Sequence, residues 1–145
     1  MMLKNALLCG LVLLTCGIVM PEESFGQDLT YRTTYMTPGG NPIRADLTIN
    51  GSNGTYRSYN QFGQLVGGGT VSNLQLTNFG GQMVMFGNWQ FNGGGQGTLT
   101  FRFSQNLRSF TGNWQFAGGG PSRTWNGSYS NGSGQLGNNG PYIGP

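Results

Sequence analysis

The pentapeptide Gly-Asn-Trp-Gln-Phe occurs at residues 87–91 and again at 112–116, and each copy runs into a glycine triplet. In both copies apolar residues alternate with polar ones, which is typical of a β-strand with one buried face. Trp114 and Phe116, for example, share one parity, and residues 99–103 between the copies alternate in the same way. The repeat of 25 residues therefore predicts one strand up, one strand down and two turns.

The alternation continues on both sides of the repeat. Residues 43–50 form the clearest strand pattern, residues 29–35 precede it, and residues 125–129 end the series. No window has helical periodicity, and Asn-Gly or Gly-Gly pairs separate many of the segments as hairpin turns do. We therefore predict an all-β fold, an antiparallel up-and-down meander that forms a closed or nearly closed barrel of about 8–9 strands. A β-sandwich, or an open sheet completed by oligomerisation, is the alternative.

A third glycine triplet, at residues 67–69, precedes the two that follow the pentapeptide at 93–95 and 118–120. Glycine adopts positive φ without steric cost, so the triplets predict tight turns. Successive copies are an even number of strands apart. For this reason all three triplets are predicted to lie at the same end of the sheet.

Residues 1–26 have the features of a secretory signal peptide: a lysine near the start, an apolar run, and small residues near the end. The run is about 15 residues long, shorter than the 20 or so that span a bilayer, so export with cleavage before Gln27 is predicted. The protein would then be extracytoplasmic, either secreted or periplasmic. The alternative treats residues 13–16 as a lipobox, with Cys16 acylated and the protein bound to a membrane.

Processing would leave a single β-meander domain at 27–130, followed by a flexible tail rich in glycine, asparagine and proline at 131–145. A chain of about 120 residues buries roughly two thirds of its surface on folding, which suits one compact domain. No cysteine remains after Cys16, so the domain has no disulfide. Its stability must come from the sheet and an aromatic core.

Few side chains suited to catalysis remain in the predicted domain. It has no histidine, lysine or glutamate, and its carboxylates are Asp28 and Asp46. A glycosidase needs two carboxylates that flank one bond, a serine nucleophile needs a base, and zinc needs histidine or cysteine ligands. We therefore predict no enzymatic activity, no cofactor and no metal site. Six arginines against two aspartates are spread over separate strands, so nucleic acid is not a predicted partner.

The aromatic residues on the inward parity are the candidate ligand contacts. They are Trp89, Trp114, Phe116, Trp125 and Tyr129. Flat apolar faces in a barrel suit a neutral glycan or a small apolar ligand, so we predict a non-catalytic binding or interaction module. The alternative for these residues is a solidly packed interior without a cavity. The alternative function is a structural protein of the envelope or matrix that self-associates through β edges.

Two short motifs resemble those of a known group of proteins. Residues 109–114, Ser-Phe-Thr-Gly-Asn-Trp, followed by Thr-Trp-Asn-Gly at 124–127, are similar to the closing motif of small exported bacterial β-proteins with Phe-x-Gly-x-Trp strand repeats. The resemblance covers about residues 54–129 and implies an exported bacterial β-protein. The Gly-x-Trp strands are more distantly similar to avidin-type barrels, in which such a motif marks the first strand. Here it lies late in the chain, so no ligand residues are carried over.

Overall fold

A computed structural model describes residues 28–130 of the chain. The predicted signal peptide at 1–26, its Cys16 and the tail at 131–145 lie outside the described residues. Within the described part there are eight strands and no helix that is long and apolar enough to cross a membrane. The strands are β1 (Leu29–Met36), β2 (Pro42–Asn50), β3 (Asn53–Tyr59), β4 (Leu65–Phe79), β5 (Gln82–Phe91), β6 (Gln96–Phe103), β7 (Ser109–Phe116) and β8 (Arg123–Ser130).

Each strand pairs antiparallel with the next, and β1 also pairs with β8, so the sheet closes into a barrel. The closing seam places Tyr31 opposite Tyr129 and Tyr35 opposite Trp125. The predicted up-and-down barrel is confirmed, with eight strands, and the β-sandwich and open-sheet alternatives are wrong. Closure gives β1 and β8 a partner on both sides, which removes the two outer edges that an open meander would expose.

β4 departs most from the sequence pattern. The sequence pattern predicts two short strands here, at residues 64–71 and 74–77, whereas the structure has one strand of 15 residues with a β-bulge between Ser72 and Gln75. The bulge interrupts the alternation without a turn. The glycine triplet at 67–69, predicted as a turn, lies inside β4 instead. There the neighbouring backbone leaves no room for a side chain, since a Cβ at Gly69 would overlap the carbonyl oxygen of Gln90.

The other two triplets, at 93–95 and 118–120, lie in the turns after β5 and β7, as predicted. Gly69 lies opposite Phe91, the last residue of β5, so the first triplet reaches the same end of the barrel. All three triplets therefore share one end, as their even spacing predicts, and we call it the glycine end. The opposite end carries the β2–β3, β4–β5 and β6–β7 turns, with the start of β1 and the end of β8.

Side chains of the inward parity fill the barrel interior. Tyr31, Leu47 and Phe101 are completely buried, and the aromatic rings of the core contact one another. Near the opposite end the packing leaves a cavity of about 10 Å³, lined in part by Ile49 and Leu107. A cavity of that size has room for one water molecule at most.

Candidate functional site

The structure separates the five predicted ligand residues along the barrel axis. Three of them, Trp89, Trp114 and Phe116, meet at the glycine end. Trp125 packs in the middle of the barrel and is 3% exposed, while Trp89 and Trp114 are each 6% exposed. Tyr129 lies near the end of β8, at the opposite end of the barrel. A shared inward parity therefore does not bring all five residues into one site.

The rings of Trp89, Trp114 and Phe116 pack against one another, and together with Arg123 we call them the aromatic rim. The Trp89 ring centroid lies 5.0 Å from that of Trp114, and the Phe116 centroid lies 5.4 Å from Trp89 and 5.2 Å from Trp114. All three pairs are edge-to-face, the arrangement that the aromatic quadrupole favours. In the register Gly97 of β6 lies between Trp89 and Phe116, and it has no side chain to separate their rings.

Hydrogen bonds orient both indoles of the rim. Trp89 Nε1 donates to the carbonyl oxygen of Gln115 at 3.1 Å, and Trp114 Nε1 donates to that of Met36 at 3.1 Å. The first bond ties β5 to β7, and the second ties β7 to β1 across the mouth of the barrel. Because both donors are satisfied within the protein, the two rings are held in fixed orientations at the glycine end.

Arg123 completes the rim from the first position of β8. Its guanidinium carbon lies 5.2 Å from the Trp114 ring centroid and 5.7 Å from that of Phe116, within cation–π range. Its Nη1 donates a hydrogen bond to the carbonyl oxygen of Pro121 at 3.2 Å. The sequence prediction did not include Arg123, although a signal was present: it lies two residues before Trp125 and so shares the inward parity.

The glycines of the turns place no side chains over the rim, in which Trp89 and Trp114 are each 6% exposed and Phe116 is half-buried. Gly94 and Gly95 have φ values of 95° and 111°, which residues other than glycine rarely adopt. A Cβ at Gly95 would lie 3.5 Å from the Phe116 ring and 3.9 Å from the Trp89 ring, so this turn passes directly beside the rim. No atom lies within 4 Å of the position that a Cβ would take at Gly94 or at 118–120. The glycines of these two turns therefore add no side chains to the wall of this mouth.

Trp125 belongs to a second aromatic group in the middle of the barrel. Its ring centroid lies 5.4 Å from Tyr35, 5.2 Å from Tyr56 and 5.4 Å from Phe101. Unlike the indoles of the rim, its buried Nε1 has no hydrogen-bond acceptor in the described structure. Its surroundings are those of a core residue rather than of a residue at a mouth.

The two kinds of indole predict different responses to phenylalanine. Trp114→Phe removes the hydrogen bond to Met36, whereas Trp125→Phe removes a donor that has no acceptor. We expect Trp114→Phe to lower the free energy of unfolding by about 1 kcal/mol more than Trp125→Phe. Urea denaturation of the two variants measures the difference. Equal losses would contradict the assignment of these hydrogen bonds.

Tyr129 lies at the end of the barrel opposite the rim, where its ring packs against that of Tyr31. Their ring centroids are 5.8 Å apart, and 37% of the Tyr129 surface is exposed. Tyr31 is completely buried and donates a hydrogen bond to the carbonyl oxygen of Leu107 at 2.8 Å. Burial and, to a smaller extent, the neighbouring Tyr129 together raise the pKa of Tyr31 to about 12. Burial likewise raises the pKa of Tyr56.

These tyrosines predict a loss of stability in alkali. In the unfolded chain Tyr31 ionises near its ordinary pKa of 10.0, but in the barrel it keeps its proton until about pH 12. Its contribution is therefore fully present below pH 10 and is lost as the pH rises toward 12. The two pKa values differ by an amount equivalent to about 2 to 3 kcal/mol. Unfolding in urea at a series of pH values measures how steeply the free energy of unfolding falls with pH. Tyr31→Phe is expected to make this fall less steep, and an unchanged steepness in the variant would contradict the prediction.

The aspartates lie away from the rim. Asp46 is on the outer face of β2, opposite Arg32 of β1 and Arg57 of β3. Burial raises the pKa of its carboxyl, and Arg32 opposes that rise. Asp28 accepts a hydrogen bond from Asn50 Nδ2 at 2.6 Å. Among the described residues, no group of three or more histidine, cysteine, aspartate or glutamate side chains could hold a metal ion.

No protein-family model matches the chain, and no curated protein matches it. Among solved structures the chain is similar to a de novo designed fluorescence-activating β-barrel, with 13% sequence identity and a TM-score of 0.41. The alignment covers 69% of this chain and 88% of that chain. This likeness is one of β-barrel architecture. By its fold and its rim, the protein is a small closed antiparallel β-barrel with an aromatic cluster at one mouth.

Proposed function

We propose that the protein is a non-catalytic binding module and that its ligand, a neutral glycan or a small apolar molecule, lies on the aromatic rim. The observation that carries this proposal is the cluster of Trp89, Trp114 and Phe116 at the glycine end, where each indole is 6% exposed and Phe116 and Arg123 are half-buried. Flat apolar faces with a few polar groups at their border are typical of small-ligand sites. Arg123 supplies such a polar group. Among the described residues its guanidinium donates one hydrogen bond, to the carbonyl oxygen of Pro121, and a guanidinium has five N–H donors.

Packing supports the mouth, rather than the interior, as the place where a ligand binds. The core residues fill the barrel, and the cavity beside Ile49 and Leu107 is about 10 Å³, too small for any ligand larger than water. A ligand in the interior would have to displace side chains such as Phe101, which is completely buried. A ligand at the mouth would contact the half-buried Phe116 and Arg123 and the small exposed parts of the two indoles.

Further apolar surface lies at the same end of the barrel. Phe62 is 73% exposed in the β3–β4 turn, and Leu65 and Val66, at the start of β4, are 61% and 52% exposed. A Cβ at Gly67 would lie 3.1 Å from the Phe91 ring, which places this part of β4 beside the end of β5. These exposed apolar side chains lie at the same end of the barrel as the rim, which favours a ligand larger than a single ring.

The test uses the two indoles of the rim as reporters. The purified protein is titrated with neutral oligosaccharides and with small apolar molecules while tryptophan fluorescence is followed. For a ligand that binds, Phe116→Ala is expected to weaken the affinity about tenfold, which corresponds to roughly 1.4 kcal/mol. Phe86→Ala is the matched control, because Phe86 is partly exposed on the outer face of β5. The proposal fails if no ligand changes the spectrum, or if both variants weaken binding equally.

The extracytoplasmic location is part of the same proposal. It is supported by the sequence features of residues 1–26 and by the resemblance to small exported bacterial β-proteins. The intact mass of the protein recovered from its source is expected to correspond to a chain that starts at Gln27. A diacylglyceryl group on Cys16 would instead show that the protein is anchored to a membrane.

A further inference from the structure

β4 extends further than its neighbour β3. The β3–β4 register ends with Gly54 opposite Val71, and the N–H of Leu74 then donates to the carbonyl oxygen of Ser52 at 2.9 Å. Within the described structure, residues 75–79 pair with β5 alone. We call these five residues the β4 edge. Among residues 28–130 no strand pairs with the other side of its backbone, although the barrel as a whole is closed.

Backbone alternation identifies the groups on the free side. In an antiparallel strand the N–H and C=O of one residue point to the same side, and those of the next residue point to the other. The N–H of Leu74 points toward β3, so Leu76 and Asn78 direct their N–H and C=O groups away from β5. Exposed edges are usually protected by charged side chains or proline. Residues 75–79 include neither.

An apolar cluster lies on the outer face beside the β4 edge. Phe79 is 59% exposed and Phe86 is 40% exposed, and their ring centroids are 6.2 Å apart. Val84 is on the same outer face and is nevertheless 5% exposed. The free edge therefore adjoins apolar side chains, and both kinds of group gain from being covered.

Charge favours a second copy of the chain as the group that covers this edge. Residues 58–101 carry no charge, whereas the domain has six arginines against two aspartates, so two copies that met through their arginine-bearing faces would repel each other. Counting across the sheet from Thr77, the first arginine is Arg102 of β6, which follows Val84 of β5. In a sheet joined at the β4 edge, the two copies of Arg102 would be about 24 Å apart, roughly three Debye lengths at physiological salt.

We propose that the β4 edge pairs antiparallel with the β4 edge of a second copy, giving a two-fold symmetric dimer whose sheet runs continuously through both β4–β5 hairpins. The two-fold axis lies at Thr77, which faces Thr77 of the other copy, and Leu76 faces Asn78. This register satisfies the free groups of both residues with four backbone hydrogen bonds. A shift by one residue would place them opposite groups that point into the other hairpin.

The surroundings of the edge allow this approach. In the dimer the tip of each β4–β5 hairpin comes next to the β2–β3 turn of the other copy. That tip consists of Gly80 and Gly81, and no atom lies within 4 Å of the position that a Cβ would take at either. The dimer uses neither the aromatic rim nor any other part of the glycine end, so it goes beyond the proposed ligand-binding function and does not depend on it.

Sedimentation of the purified protein tests the dimer. An interface of five residues per copy is small, so we expect a dissociation constant on the order of 0.1 mM. Thr77→Lys would bring two ammonium groups together at the axis and is expected to keep the protein monomeric. Thr98→Lys adds the same charge at an exposed position of β6 and is expected to leave the dimer intact. A protein that is monomeric up to about 1 mM, or equal loss of the dimer in both variants, would overturn the proposal.

A disulfide reports the register directly and does not require the lysine variant to fold. Two residues that face each other in a non-hydrogen-bonded pair have Cα atoms about 4.5 Å apart, which a disulfide can span. Thr77→Cys is therefore expected to form a disulfide-linked dimer under mild oxidation. Gln75→Cys is the control, because the two copies of residue 75 would be more than about 10 Å apart in the proposed register. Cross-linking of both variants, or of neither, would overturn the register.

Discussion

Replacing Gly112 with alanine is expected to lower the free energy of unfolding by about 3 kcal/mol or more, or to prevent folding. A Cβ at Gly112 would lie 2.5 Å from Cδ1 of Phe101, 2.6 Å from the carbonyl oxygen of Thr100 and 3.0 Å from that of Trp125. Two of these three atoms belong to the backbones of β6 and β8, which cannot yield without a change in the barrel. Urea denaturation followed by tryptophan fluorescence measures the loss.

The chain provides matched controls for this prediction. Gly118→Ala adds a Cβ where no atom lies within 4 Å, so we expect its stability to stay within about 0.5 kcal/mol of the original protein. Gly87→Ala is expected to cost less than Gly112→Ala, because the nearest atom to the new Cβ would be Cδ2 of Leu74, the end of a flexible side chain. If Gly112→Ala and Gly118→Ala unfolded at the same urea concentration, the packing of β7 between β6 and β8 would be contradicted.

The difference between Gly87 and Gly112 also shows how far the repeat predicts the fold. The alternation of residues is enough to predict the strands and the face that each presents, because a slip of one residue would move Trp89 or Trp114 from the core to solvent. The even number of strands between the glycine triplets then predicts that the triplets share an end. The neighbours of equivalent glycines could not be predicted, since they depend on which strands flank each copy in the closed barrel.

The site was predicted in part for a related reason. Parity predicts that Trp89, Trp114, Phe116, Trp125 and Tyr129 face inward, but it does not give their heights along the barrel axis. Those heights follow from the tilt and stagger that the strands adopt when the sheet closes. Closure brings the first three residues together at the glycine end, while Trp125 lies in the core and Tyr129 packs on Tyr31 near the opposite end.

Glycine and bulge positions were the least predictable features. The triplets at 67–69 and 93–95 look alike in the sequence, yet one lies within β4 and the other in a turn. In the first case the glycines are needed because the neighbouring backbones approach closely. The backbones that approach are those of residues distant in sequence, such as Gln90, so the sequence around the triplet does not reveal the need. The bulge between Ser72 and Gln75 is likewise a property of pairing between strands.

Trp114→Ala is the second substitution with a large expected effect, a loss of about 3 to 5 kcal/mol in the free energy of unfolding. The Trp114 ring contacts Trp89 and Phe116, lies under Arg123, and donates a hydrogen bond to the carbonyl oxygen of Met36. Its removal would leave a cavity at the glycine end and an unpaired carbonyl group on β1. Chemical denaturation followed by far-UV circular dichroism measures the loss without relying on the indole that has been removed.

Arg123→Ala distinguishes the contribution of the Trp114 ring from that of the guanidinium group above it. This variant removes the cation–π contact and keeps the aromatic packing, so we expect a loss of only about 0.5 to 1 kcal/mol. A loss below about 1 kcal/mol for Trp114→Ala would contradict the packing of the rim, because the cavity term alone exceeds that value. Where Trp114→Ala remains folded, titrating it with the ligand distinguishes the structural role of the Trp114 ring from its role in binding. Binding that survives the removal of Trp114 would show that the rim supports the barrel but does not hold the ligand.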